Sequence, residues 1–156
     1  MKKYPVSRTA VFLTAAVFSF LVDHLTKIAA QRLAWKTSFN EGVSFGLFNS
    51  VDPAALSAAN IVILFVLLIL CIRSSGRRGP VFYLGCGMMF GGTAGNLADR
   101  LAHGRVIDWL PLPFSEFFFR SGLWVNAADI FLTAGSATVI LALWMAAGED
   151  EGSEAD

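Results

Sequence analysis

The chain has 156 residues, 55% of them hydrophobic, with a mean hydropathy of +0.60 and a formal net charge of zero from twelve basic and twelve acidic residues. So much apolar surface cannot be hidden in one small soluble core, which points to a membrane protein, and the balanced charge excludes the basic face that nucleic-acid binding needs. Two cysteines, Cys71 and Cys86, without close pairing, and two distant histidines, His24 and His103, leave little material for a redox, zinc or serine–histidine site, so no metal and no cofactor are expected.

The segment Met1 to Arg8 carries Lys2, Lys3 and Arg8 and no acid, and an apolar run follows from Ala10 to Val22. A secretory signal peptide begins the same way. Here the pattern resumes past Asp23, His24 and Lys27 to Ala30, about twenty residues, enough to cross roughly 30 Å of hydrocarbon at 1.5 Å per residue. Residues 10–30 are the first predicted span. Asp23 and Lys27 are four apart with the acid first, the favourable order on one helix face, and charges in a spanning segment turn towards the protein interior. Both are expected to support structure at the outer end of this helix.

Hydrophobicity breaks from Gln31 to Pro53, where Asn40 to Phe48 alternates small, polar and aromatic residues, a pattern of short β structure outside the membrane. Trp35, Phe39, Phe45 and Phe48 suit the bilayer interface. Residues 54–72 form the second span, with Asn60 as a helix contact. Arg73, Arg77 and Arg78, among Gly76, Gly79 and Pro80, make the turn into a third span at 81–97, and 123–147 is the fourth. Gly91 and Gly95 give the third span a Gly-xxx-Gly spacing that admits a neighbouring helix backbone.

The N-terminal segment and the 73–79 loop hold six of the twelve basic residues and no acid, so both termini are assigned to the cytoplasm. Pro111 to Arg120 is Phe-rich and too short to span; it lies along the outer interface as an anchor or as a lid. The expectation is an all-α membrane protein: one domain, residues 1–147, with four transmembrane helices, a small outer β cradle and an interfacial segment. An acidic tail at 148–156 is expected to be disordered.

This topology collects polar residues at the outer side. Asp23 and Lys27 end the first span, Asn96, Asp99 and Arg100 end the third, Asp108 follows in a loop, and Asn126 and Asp129 open the fourth. Asn126 and Asp129 also have the spacing of a helix cap and a first-turn acid. Carboxylates converging at the edge of a low-dielectric layer invite aspartic chemistry, in which two acids share a proton, one activating water and the other polarising a carbonyl. Ser44, Ser115 and Ser121 lack a histidine or lysine nearby in sequence. Among the acids, Asp23, Asp99, Asp108 and Asp129 all compete for the two places.

Four ordered motifs then resemble a known family. Asp23-His-Leu-Thr-Lys27, Asn40-Glu-Gly-Val-Ser-Phe-Gly46, Gly91-Gly-Thr-Ala-Gly-Asn-Leu-Ala-Asp-Arg100 and Asn126-Ala-Ala-Asp129 are similar, in order, to the first-helix, outer-loop, third-helix and fourth-helix motifs of the bacterial lipoprotein signal peptidases, or type II signal peptidases. The resemblance implies an aspartic endopeptidase of the bacterial inner membrane that acts on diacylglyceryl-modified prolipoproteins, cutting before the lipidated cysteine at the outer face. It implies Asp108 and Asp129 as the catalytic pair. It further implies Asn40, Gly42, Asn96, Asp99, Arg100 and Asn126 as substrate-binding or dyad-supporting residues, with Asp23 and Lys27 as structural support. Membrane lipid and globomycin-type inhibitors are the other implied partners, and a monomer is expected.

Two other functions use the same residues differently. A proton-coupled transporter would relay protons through these acids, but nothing ionisable continues through the inner half of spans two to four. A non-enzymatic scaffold would use the glycine face and the aromatics, and would leave the carboxylates unexplained.

Overall fold

The computed structural model describes residues 7–40, 52–74, 77–117 and 122–154. Four long helices dominate it: α1 (Arg8–Arg32), α2 (Pro53–Arg73), α3 (Pro80–His103) and α4 (Ala127–Glu154). Their starts follow local chemistry. Ser7 Oγ accepts from the Ala10 amide, and the Asp52 side chain accepts from the Ala54 amide at 2.9 Å, with Pro53 in the first turn where no N–H is needed. Pro80 opens α3 in the same way, and Gly104, at φ +72°, closes it in the left-handed conformation that a residue without Cβ adopts cheaply.

Helix α3 is the centre of the bundle, packed along α1 and α4 and, over a smaller contact, along α2. Its glycines explain how. A Cβ on Gly87 or Gly91 would strike the α1 backbone at the Phe12 or Ala16 carbonyl, and one on Gly95 would strike the Asp23 carboxylate. On the other face a Cβ on Gly85 would lie 2.7 Å from the Gly135 carbonyl, and one on Gly135 2.7 Å from the Gly85 carbonyl. The Gly-xxx-Gly spacing of Gly91 and Gly95 therefore brings α3 against α1, as small residues do between membrane helices.

Three of the four helices are long and apolar enough to cross a membrane: α1, α2 from Ala54, and α4 as far as Ala147. At 24 residues α3 is about 36 Å long, sufficient by length, but its glycines and its polar last turns lower its hydropathy. The outward faces are apolar, with Phe65 64% and Ile140 67% exposed, the inverse of a soluble protein and the pattern of a lipid-facing surface. A small core of Phe12, Cys71, Phe82, Tyr83 and Cys86 closes the bundle at the end away from the polar residues, where the Tyr83 hydroxyl donates to the Cys71 carbonyl.

Two-stranded sheets sit at the polar end. Strand β1 (Ser38–Asn40) pairs antiparallel with β2 (Val106–Asp108), placing Ser38 opposite Asp108 and Asn40 opposite Val106. Strand β3 (Leu110–Pro111) pairs with β4 (Trp124–Val125), Leu110 opposite Val125. Of the stretch Asn40 to Phe48, expected to form β structure, only Asn40 is among the described residues, at the end of β1; residues 41–51, including Gly42, lie outside them.

Several boundaries differ from the sequence expectation. The third helix continues to His103 instead of ending at 97, because nothing in Ala98 to His103 breaks a helix before Gly104. The fourth begins at Ala127, not 123, because Leu123 to Val125 is drawn into pairing with the segment after Asp108. Of the Phe-rich segment, residues 111–117 are described: Pro111 ends strand β3 and Ser115–Phe117 form a one-turn 3-10 helix, held by Ser115 Oγ, which donates to the Leu112 carbonyl at 2.6 Å and accepts from the Leu123 amide at 2.7 Å. Backbone helix continues to Glu154 through the segment expected to be disordered; apart from Gly148, the residues that follow Ala147 up to Glu151 are tolerated in a helix.

Candidate active site

The polar residues of α1, α3 and α4 meet at one end of the bundle. Asp23 and Lys27 lie on the inward face of α1, buried with 0% and 2% exposure, and pair at 2.7 Å. Lys27 Nζ also contacts Asp99 Oδ2 at 2.8 Å and donates to Asn96 Oδ1 at 3.0 Å, both one turn apart on α3. An amine so enclosed is tolerable only because acceptors replace its water.

Asn126 and Asp129 form the start of α4. The Asn126 side chain accepts from the Asp129 amide at 3.0 Å, and Asp129 Oδ2 accepts from the Asn126 amide at 3.3 Å, a reciprocal cap that satisfies helix-end donors. The same Asn126 carboxamide donates to Asp108 Oδ1 at 2.6 Å and to Asn96 Oδ1 at 3.1 Å. The capping role and the site role are therefore carried by one residue at once.

Asp108 ends β2, and pairing with β1 sets its direction. Asn40, on β1, donates to Asp108 Oδ2 at 3.2 Å, so each oxygen of this carboxyl accepts from a different asparagine. Asp129 Oδ1 accepts from Asn96 Nδ2 at 3.2 Å. The guanidinium of Arg100, one residue beyond Asp99, supplies positive charge to Asp129, Asp108 and Asp99. Burial pushes the Asp108 carboxyl up from the usual 3.8 to about 7, and the negative charge of Asp129 adds to the shift against the opposing amide bonds from Asn40 and Asn126.

Of the residues singled out in the sequence, Asp23, Lys27, Asn40, Asn96, Asp99, Arg100, Asp108, Asn126 and Asp129 are brought together, and Gly42 lies outside the described residues. Ser115 is engaged in closing its own loop; Ser44 and Ser121 lie outside the described residues. Sequence reasoning missed two backbone groups, the Ile107 amide, which donates to Asp99 Oδ2 at 3.2 Å, and the Ala128 amide, which donates to Asp23 Oδ1 at 2.9 Å. No residue type marks a functional amide, so no signal in the sequence could have found them. The rim adds Trp35 against Trp109 at 5.6 Å between ring centres, and the Arg105 guanidinium over Phe39 at 3.8 Å.

Fold and site together define a helical membrane protein whose one polar end holds two half-buried or buried carboxyl groups, Asp108 and Asp129, in a lattice of asparagines. A family model described as signal peptidase (SPase) II matches residues 12–145. The chain belongs to that family, the lipoprotein signal peptidases, which are proteases. It is similar to the lipoprotein signal peptidase of Aquifex aeolicus, 32% identical over 143 residues covering 84% of each chain. That of Symbiobacterium thermophilum is 29% identical over 150 residues, covering 84% of this chain and 92% of the other. The fold is shared with a bacterial membrane enzyme solved by the in meso method at 2.3 Å resolution, with a TM-score of 0.74, 23% identity and 92% of each chain covered. A second, at 1.9 Å resolution, has a TM-score of 0.70 and 24% identity over 91% of this chain and 96% of that one.

Proposed function

We propose that this chain is a membrane aspartic endopeptidase that removes signal peptides from diacylglyceryl-modified prolipoproteins, with Asp108 and Asp129 as the reacting pair. The relatives' shared name supports the substrate. The observation that carries the mechanism is the Asn126 carboxamide, which bonds Asp108 at 2.6 Å while capping the helix turn that presents Asp129.

A carboxyl that titrates near 7 keeps a proton long enough to donate it, so Asp108 is assigned the acid and Asp129 the base. Asp129 takes a proton from water as the hydroxyl adds to the scissile carbonyl carbon, and Asp108 gives its proton to the carbonyl oxygen. The resulting gem-diol returns a hydroxyl proton to Asp108 as the C–N bond breaks. Asp129 passes its proton to the departing amine of the lipidated cysteine. Arg100, Asn40 and Asn96 steady the charge and hold the substrate backbone.

The reading has four crossings, with the scissile bond at the boundary of water and lipid. In this reading α3 spans with the other three helices, the basic segments around Arg8 and Arg73 to Arg78 lie in the cytoplasm, and the two sheets form the outer cradle of a bacterial inner-membrane protein. Lipid chains stay between the helices and the bilayer, the protein acts as a monomer, and globomycin-type peptides occupy the same site.

The test is cleavage of a diacylglyceryl-modified prolipoprotein by the purified protein in detergent, beside folded Asp108→Asn and Asp129→Asn variants. The expected result is cleavage by the unaltered protein and a loss of at least about a thousandfold in each variant. Cleavage retained in both, or lost only in Asp99→Asn, would sink the assignment of the pair.

A further inference from the structure

Asp23, Lys27 and Asp99 are buried and charged, and the proposed reaction uses none of them directly. Lys27 has three protons and three acceptors: Asp23 Oδ2 at 2.7 Å, Asp99 Oδ2 at 2.8 Å and Asn96 Oδ1 at 3.0 Å. Each acid has one further engagement. Asp23 Oδ1 accepts from the Ala128 amide at 2.9 Å, and Asp99 Oδ2 accepts from the Ile107 amide at 3.2 Å. Ala128 immediately precedes Asp129, and Ile107 immediately precedes Asp108.

We propose that Lys27 is a positioning residue which, through Asp23 and Asp99, ties down the backbone directly before both reacting carboxyls and so sets their separation. The consequence for catalysis rests on the peptidase reading; the wiring rests on the contacts alone. Some such tie is needed because the two acids stand on unrelated elements. Asp108 is at the end of a three-residue strand and Asp129 is in the first turn of a helix, and the β1–β2 ladder acts on one without reaching the other. Bonds from amides to ionised carboxylates are among the stronger ones, and a single ammonium held by both acids gives the two bonds a common origin. Without it, the two carboxyls would be left buried without a shared cation and would be held only by taking up a proton, which removes the charge that anchors both amides. Gly95 makes the arrangement fit, since any Cβ there would occupy the space of the Asp23 carboxylate.

The test combines hydrogen–deuterium exchange at the Ile107 and Ala128 amides with kcat and KM for Lys27→Met, Asp23→Ala, Asp99→Ala, Asp23→Asn and the two doubles with Lys27→Met. Asp23→Ala should speed exchange at Ala128 and spare Ile107, Asp99→Ala should do the reverse, and Lys27→Met should speed both. Misplacement by a fraction of an ångström to an ångström lowers kcat by up to about 100-fold with KM nearly unchanged. Asp23→Asn, which keeps an acceptor for the Ala128 amide, should recover part of kcat. The doubles should lose less than the product of the singles, because each shares the Lys27 node. General destabilisation would instead speed both amides alike in every variant, and that result, or multiplicative doubles, would overturn the proposal. If Lys27→Met does not fold, the two alanine variants decide it by the same amide selectivity. Should the unaltered protein leave prolipoprotein uncut, the peptidase reading fails on its own, and the exchange data still decide the wiring.

Discussion

The Asn126 carboxamide stands 2.6 Å from Asp108 Oδ1 and also caps the helix that carries Asp129. Its amide favours the ionised form of Asp108, opposing burial. Asn126→Ala should therefore push the Asp108 carboxyl above its present value of about 7 and move the corresponding limb of the kcat/KM profile to higher pH. Loss of a hydrogen bond to a charged group, about 1.5–3 kcal/mol, corresponds to a roughly 10- to 100-fold fall in rate. Loss of the cap should cost a further ~1 kcal/mol of stability. A limb that stays in place would argue against Asp108 as the titrating group.

Asp108 should also make stability pH-dependent in an uncommon direction. Its carboxyl is raised from 3.8 to about 7, so between those values the folded protein holds a proton that the unfolded chain has released. Stability from this group is complete below the unfolded value and is lost as pH rises towards 7, by at most about 4 kcal/mol at ~1.4 kcal/mol per pH unit. Asp108→Asn removes that loss. Thermal midpoints in detergent at pH 5 and pH 8 should diverge more for the unaltered protein than for the variant; parallel behaviour would count against the shift.

Gly92 separates packing from chemistry. A Cβ there would meet the Ala128 carbonyl at 2.7 Å and push the first turn of α4 off α3. Gly92→Ala should cost about 1–3 kcal/mol of stability and, in the folded fraction, reduce cleavage at least tenfold by displacing Asp129. Gly104→Ala is the control. Nothing lies within 4 Å of that position, but its φ of +72° costs an alanine about 1–2 kcal/mol, and activity per folded molecule should be unchanged.

Ser115→Ala should loosen only the loop between β3 and β4. The buried Leu123 amide would lose its acceptor at 2.7 Å, a penalty of about 1–3 kcal/mol. Exchange at Leu123 should accelerate while the helices stay protected. If the Phe-rich segment covers the site, KM for lipidated substrate should rise in this variant; an unchanged KM would make the segment an interfacial anchor.

Much of the architecture was legible because it is written locally. Apolar runs of about twenty residues mark α1, α2 and α4 whatever surrounds them, Pro53 and Pro80 border helix starts, and the spacing of Asn126 and Asp129 specifies a cap. Boundaries failed where a long-range partner intervened. Leu123 to Val125 reads as the start of an apolar helix, yet the Val125 and Leu123 carbonyls accept from the Trp109 and Leu112 amides and the Leu123 amide donates to Ser115 Oγ, a pairing with no local trace.

By itself the sequence determined a membrane class, the helices, the glycine face of α3 and the inventory of polar residues, because composition and periodicity depend only on near neighbours. The tertiary structure decided which partners each of the four aspartates takes. Asp23 and Asp99 close on Lys27, whereas Asp108 is held by Asn40 and Asn126, and Asp129 by Asn96 and its own helix turn. The contact between Asn40 and Asp108 joins residues 68 positions apart, and whether a carboxylate is matched by an ammonium or by neutral amides is decided by what lies within about 3 Å in space.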